Sequence, residues 1–92
     1  DPNGDIIAKC VEVFEDDKLK CATKAVLRNS LSIDQLRRLL LLLDFENSKI
    51  VLIKSAWSNV SDKENVASLY DVFEFQSNVD KVKAWISQQN SN

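Results

Sequence analysis

Beyond Gly4 the chain has no glycine and no proline. Those residues supply most of the tight turns that fold β-strands back on one another, so a strand-rich fold would lack its punctuation here. Helices are the natural reading, because a helix boundary needs only a side chain able to accept a bond from an orphan amide. Apolar residues recur at intervals of three and four in six segments, which is the spacing of one helical face.

The first segment spans about Asp5 to Val13, with Ile6, Ile7, Cys10 and Val13 or Phe14 inward. The second opens at Asp16 or Asp17 and carries Leu19, Ala22, Ala25 and Val26 on one side. Ser32 and Gln35 form a capping box for the third, whose inner face is Ile33, Leu36, Leu40 and Leu43. Asn47 or Ser48 caps the fourth, which aligns Ile50, Ile53, Trp57 and Val60. Ser61 or Asp62 opens the fifth, with Val66, Leu69, Tyr70 and Phe73. Ser77 and Asp80 open the sixth, with Val79, Val82, Trp85 and Ile86. The third and fourth are apolar most of the way round. Leu41, Leu42, Val51 and Leu52 lie off the main stripes, so these helices either form the centre of the domain or offer leucines to a partner.

A weak repeat runs through the boundaries. Phe14-Glu15-Asp16-Asp17-Lys18-Leu19, Phe45-Glu46-Asn47-Ser48-Lys49-Ile50 and Phe75-Gln76-Ser77-Asn78 follow one another at intervals of 31 and 30 residues. Each places a Phe at the close of one helix and a polar cap at the start of the next. The expected architecture is all-α: a compact bundle of five or six short helices in antiparallel hairpins, read as three degenerate helix-turn-helix repeats. With 92 residues there is room for one core, so residues 1–87 form a single helical domain and the polar tail 88–92 frays. No Met occurs anywhere, and the chain reads as an excised or processed piece of a longer product.

Several residue types bear on function by their scarcity. Fourteen acidic and twelve basic residues give a net charge of −2 with no basic stripe, which argues against a nucleic-acid partner. The longest apolar run, Leu39 to Leu43, is far short of the about 20 residues of a membrane span. There is no His for acid-base or nucleophilic work, and two cysteines without His do not make a zinc site. Cys10 and Cys21 flank a turn, and the spacing allows either a disulfide or two buried thiols.

Other features have plainer readings beside the chemical one. Asp16 with Asp17, or Asp71 with Glu74, could be paired carboxylates, but acids in a first turn ordinarily complement the helix dipole. Cys21 stands near Lys18, Lys20 and Lys24 without a base, so burial or a bridge is the better reading than a nucleophile. Asp1, Asn3 and Asp5 around Gly4 echo a calcium loop that lacks its closing Glu. Arg37, Arg38 and Lys54 form a modest basic spot or a solvated face. Asn59-Val60-Ser61 fits a glycosylation acceptor.

The pieces Leu31 to Leu36, Leu43-Asp44-Phe45-Glu46-Asn47-Ser48-Lys49, Val60-Ser61-Asp62-Lys63-Glu64-Asn65 and Tyr70-Asp71-Val72-Phe73-Glu74-Phe75-Gln76-Ser77 together resemble the helical domain family known as domain of unknown function 4476. The likeness extends from about Phe14 to Ile86. That family occurs in bacterial exported proteins and at the end of some proline- and serine-rich animal proteins. The resemblance implies an α-helical domain and brings no activity or binding residues. The chain departs from the family's pattern after Ala56, where Trp57-Ser58-Asn59 replaces an aromatic Tyr-Pro type segment.

The function these observations favour is a non-catalytic protein-protein interaction module with no cofactor and a protein partner of unknown identity. Its contact surface is expected at Leu41, Leu42, Trp57 and Trp85, with Arg37 and Arg38 beside it. The rival is a carrier whose leucine-rich centre encloses a small apolar ligand in a cavity of about 300 Å³ or more. The cysteine pair and the acceptor triplet lean towards an exported origin.

Overall fold

A computed structural model of the chain describes Cys10 and residues 14–90. The described residues form four α-helices, α1 (Glu15–Arg28), α2 (Ile33–Leu41), α3 (Glu46–Ala56) and α4 (Gln76–Asn90). Between α3 and α4 lie two 3₁₀ segments, Trp57–Asn59 and Lys63–Val72. There is no strand among the described residues, only an isolated parallel bridge between Leu31 and Val60. The expected first helix, Asp5 to Val13, and the calcium-like cluster at Asp1, Asn3 and Asp5 lie outside the described residues apart from Cys10.

The helices stack as repeat units do. α3 packs against both α1 and α4, while α2 packs against the long 3₁₀ segment and against α3. After α2 the chain returns to where α1 began: the main-chain amides of Asp44 and Phe45 donate to the Glu15 carboxylate at 2.9 and 3.1 Å. The next unit repeats the device, with the amides of Glu74 and Phe75 donating to Glu46. α1, α3 and α4 therefore run in parallel with their N-termini at one edge, and the second helices fill the layer behind them. The outer face of α4, with Asp80, Lys81, Lys83 and Ser87, is exposed and polar.

The core is continuous across the units. Leu36, Leu40, Leu52, Ile53 and Leu69 are fully enclosed, and the buried set contains no polar or charged side chain. Each such aliphatic residue contributes roughly 1.5–3 kcal/mol by leaving water. The inner faces expected for the third to sixth segments are these residues and their neighbours, with Ile50, Val66, Tyr70 and Trp85 packed at the margin. Cys10 and Cys21 are joined in a disulfide, with a Cα–Cα separation of 5.4 Å. The bridge ties the segment before α1 to the second turn of that helix.

Three expectations change. The fifth segment is a 3₁₀ helix rather than an α-helix. Val66, Leu69 and Val72 follow one another at intervals of three, and at three residues per turn they fall on one line facing the core. α1 and α3 open on Phe14 and Phe45 with no capping bond from Asp16, Asp17, Asn47 or Ser48. For α3 the acceptor comes from the preceding unit, through Glu15. The capping box of Ser32 and Gln35 on α2 is present as expected. Finally, α4 continues to Asn90, three residues into the tail expected to fray, and the Gln89 side chain donates to the Trp85 carbonyl.

Candidate functional site

The edge where α1, α3 and α4 begin carries three of the six exposed large apolar side chains among the described residues. Phe14, Phe45 and Phe75 occupy the same place in successive units, each preceding a first-turn Glu15, Glu46 or Gln76. Their exposures are 70%, 64% and 60%. The remaining aromatic side chains, Trp57, Tyr70, Phe73 and Trp85, are buried or half-buried. The Phe backbones are held although their side chains are not. Phe14, Phe45 and Phe75 each accept the first backbone bond of the following helix through their carbonyl. The amides of Phe45 and Phe75 are gripped by the glutamate of the unit before.

The two glutamates share one chemistry. Partial burial pushes the Glu15 carboxyl up, but the amides of Asp44 and Phe45, the Ser48 hydroxyl and the Lys18 charge outweigh it and hold it below the ordinary value. At Glu46 burial is likewise outweighed, by the Glu74 amide, the Asn78 side chain, the Phe75 amide and the Lys49 charge. The amide donors favour the ionised form of each, so the edge carries negative charge at neutral pH. Gln76, the third residue of the series, donates instead to Asp80 at 3.0 Å.

Between the second and third units this edge opens into a groove of about 490 Å³, lined by Phe45, Glu46, Asn47, Ser48, Phe75 and Asn78. It is a surface groove and lies away from the leucine-rich centre. The two phenylalanines supply its apolar lining, and the Asn78 amide donates to Glu46 within it. Charge is gathered here as well. Residues 14–18, 44–49 and 74–79 hold six of the fourteen carboxylates and two of the twelve cations, a balance of −4 against +2 for the rest of the chain. Lys18 bridges to Asp44 at 3.6 Å and Lys49 donates to the Val72 carbonyl at 2.8 Å, so both cations are already engaged.

The residues anticipated as a contact surface are dispersed by comparison. Leu41, at the end of α2 and four residues before Phe45, is 53% exposed. Leu42 and Trp85 are half-buried against the core. Trp57 is a correction: it is 5% exposed, in the short 3₁₀ turn after α3, with Lys63 over its ring. Arg37 is paired with Asp71 through two bonds of 3.2 and 3.1 Å, tying α2 to the 3₁₀ segment, and Arg38 pairs with Asp34 one turn away. Asp71, by hydrogen bond and charge, raises the Arg37 pKa further above its ordinary value. Asn59 is half-buried, and its side-chain nitrogen, the atom a glycan would use, donates to the Val26 carbonyl at 2.6 Å. Phe14, one of two candidates for an inward position, is exposed. The signal for the Phe edge was the recurrence at 31 and 30 residues, which marks equivalent positions and not only helix boundaries.

Comparison with known proteins turns on one match. The family model described as Domain of unknown function (DUF4476) covers residues 6–86 of the 92. The chain belongs to the DUF4476 family. No curated protein and no solved structure matches it. For this DUF4476 domain the described helices supply no stretch long and apolar enough to cross a membrane.

Proposed function

We propose that this DUF4476 domain is a non-catalytic interaction module that receives a partner protein along the edge formed by Phe14, Phe45 and Phe75. One observation carries the reading: three large apolar side chains stand exposed at equivalent positions of successive units, and the backbones of Phe45 and Phe75 are held by glutamate carboxylates. At 60–70% exposure the three rings together present roughly 400 Å² of apolar surface. Interfaces draw most of their energy from a few such aromatic anchors, and Leu41 extends the set at the end of α2. The order of the edge is established before any partner arrives, which lowers the entropic cost of binding. The Cys10–Cys21 bridge supports an oxidising, exported setting for the module.

The carrier reading gains no comparable support, since the groove of about 490 Å³ is open and lies at the surface. The experiment is quantitative affinity capture from secretions of the source, using the intact domain and two variants. Phe14→Asp/Phe45→Asp/Phe75→Asp is expected to lose the wild-type partner, while Leu27→Asp/Val51→Asp, at other exposed apolar positions, keeps it. Retention of the same partner by the triple Phe variant removes the reading.

A further inference from the structure

Resting on the Phe edge as the interaction face, we propose that its occupant is a basic, apolar-anchored peptide segment of the partner, with an arginine stem lying in the groove between Phe45 and Phe75 above Glu46. Three features of that groove converge on this chemistry. Its lining combines two exposed phenylalanines with a carboxylate, which is the surrounding a guanidinium on an apolar stem prefers: methylenes and cation against aromatic surface, charge against an acid. The Glu46 carboxylate accepts from Glu74, Phe75 and Asn78, three of about four acceptor directions, so it keeps capacity for a further donor. The surrounding edge carries a balance of −4 with both of its cations already engaged inside the domain.

The same charge decides between occupants. A second copy docking by this face would set two edges of −4 against each other. An anionic membrane surface meets the same repulsion, whereas a basic segment gains from it. Arginine is favoured over lysine because its planar, weakly hydrated head can stack on a ring and bond an acid together.

Fluorescence anisotropy with labelled synthetic peptides tests the assignment. The peptides share one apolar pattern and carry Arg, Gln or Glu at the polar positions. The Arg peptide is expected to bind at least about tenfold more tightly than the Gln peptide at low salt, weakening several-fold at high salt, with no binding of the Glu peptide. Phe45→Ala/Phe75→Ala, checked for an unchanged helical circular dichroism spectrum, lowers that affinity about tenfold or more, and Leu27→Ala/Val51→Ala leaves it unchanged. Amide shifts on titration centre on residues 44–48 and 74–78. Equal binding of the Gln and Arg peptides, lost in the Phe variant, overturns the basic partner and leaves the Phe edge standing. Arg-peptide binding that ignores the Phe substitutions overturns both, since diffuse charge then suffices. Binding only to vesicles of phosphatidylserine and phosphatidylcholine overturns the proposal in favour of a membrane.

Discussion

The two ends of the helical stack hold their turns in opposite ways. At the end where α1 and α3 finish, buried apolar side chains hold the turns together with main-chain and polar side-chain bonds. Leu31, Trp57 and Val60 are buried, the Leu31 amide donates to the Asn59 carbonyl at 3.0 Å and the Ser61 amide to the Leu31 carbonyl at 2.9 Å. Asn59 and Asn29 side chains satisfy the last carbonyls of α1, and Asp62 reaches across to the Ile33 amide at 2.7 Å. At the opposite end, glutamates do the holding and the phenylalanines stay in water. An ordered turn therefore does not require a buried aromatic. At this edge, where a glutamate of one unit binds the main chain of the next, the phenylalanine above it is left exposed for contact.

Substitutions at the two ends should separate these modes, and the largest effect belongs to the buried end. Trp57→Ala removes an enclosed ring and is expected to cost about 3–5 kcal/mol in urea denaturation. Phe75→Ala at the open end should stay within about 0.5 kcal/mol, and a loss comparable to that of Trp57 would erase the contrast. Reducing the Cys10–Cys21 bridge frees a loop of roughly a dozen residues before and into α1, so thermal denaturation with and without reductant should differ by about 2–3 kcal/mol.

Next come the carboxylate grips. Glu46→Ala leaves the Glu74 and Phe75 amides without their acceptor and should cost about 1 kcal/mol, with faster hydrogen exchange at those two amides and none of it at Leu31 or Ser61. The same grips make the open end acid-sensitive. Glu15 and Glu46 titrate below the ordinary glutamate value in the folded chain, so their contribution is complete above that ordinary value and is lost as the pH falls through the lowered folded values. The protection of the amides of residues 44, 45, 74 and 75, relative to their intrinsic exchange rates, is therefore expected to fall in that acid window, and to respond less in the double variant Glu15→Gln/Glu46→Gln. The smallest change is at Arg37→Lys, which keeps the charge near Asp71 but loses the two-point geometry. No resolvable change in the urea midpoint is expected there.

Much of the scaffold was legible from side-chain periodicity alone. The enclosed leucines of α2, the Ser32–Gln35 box and the presence of α1, α3 and α4 all follow from local spacing. What local spacing could not give were bonds between residues about 30 positions apart. Glu15 looks like an ordinary first-turn acid, and only the fold brings it to the amides of Asp44 and Phe45. Trp57 carried the composition of an anchor but sits under Lys63 in a turn packed on the core. The 3₁₀ segment was hidden because Val66, Leu69 and Tyr70 suit an α-helical face as well as Val66, Leu69 and Val72 suit a line of threes. The candidate site was half visible: the phenylalanine recurrence was plain in the sequence, while its exposure depended on who supplies the caps.

The grip of one unit on the next is made to peptide amides, which every residue but proline possesses. Positions 44, 45, 74 and 75 can therefore change identity without loosening the turn beneath them. A lineage carrying this architecture is able to rewrite what its open edge meets, one substitution at a time, while the leucine interior stays as it is.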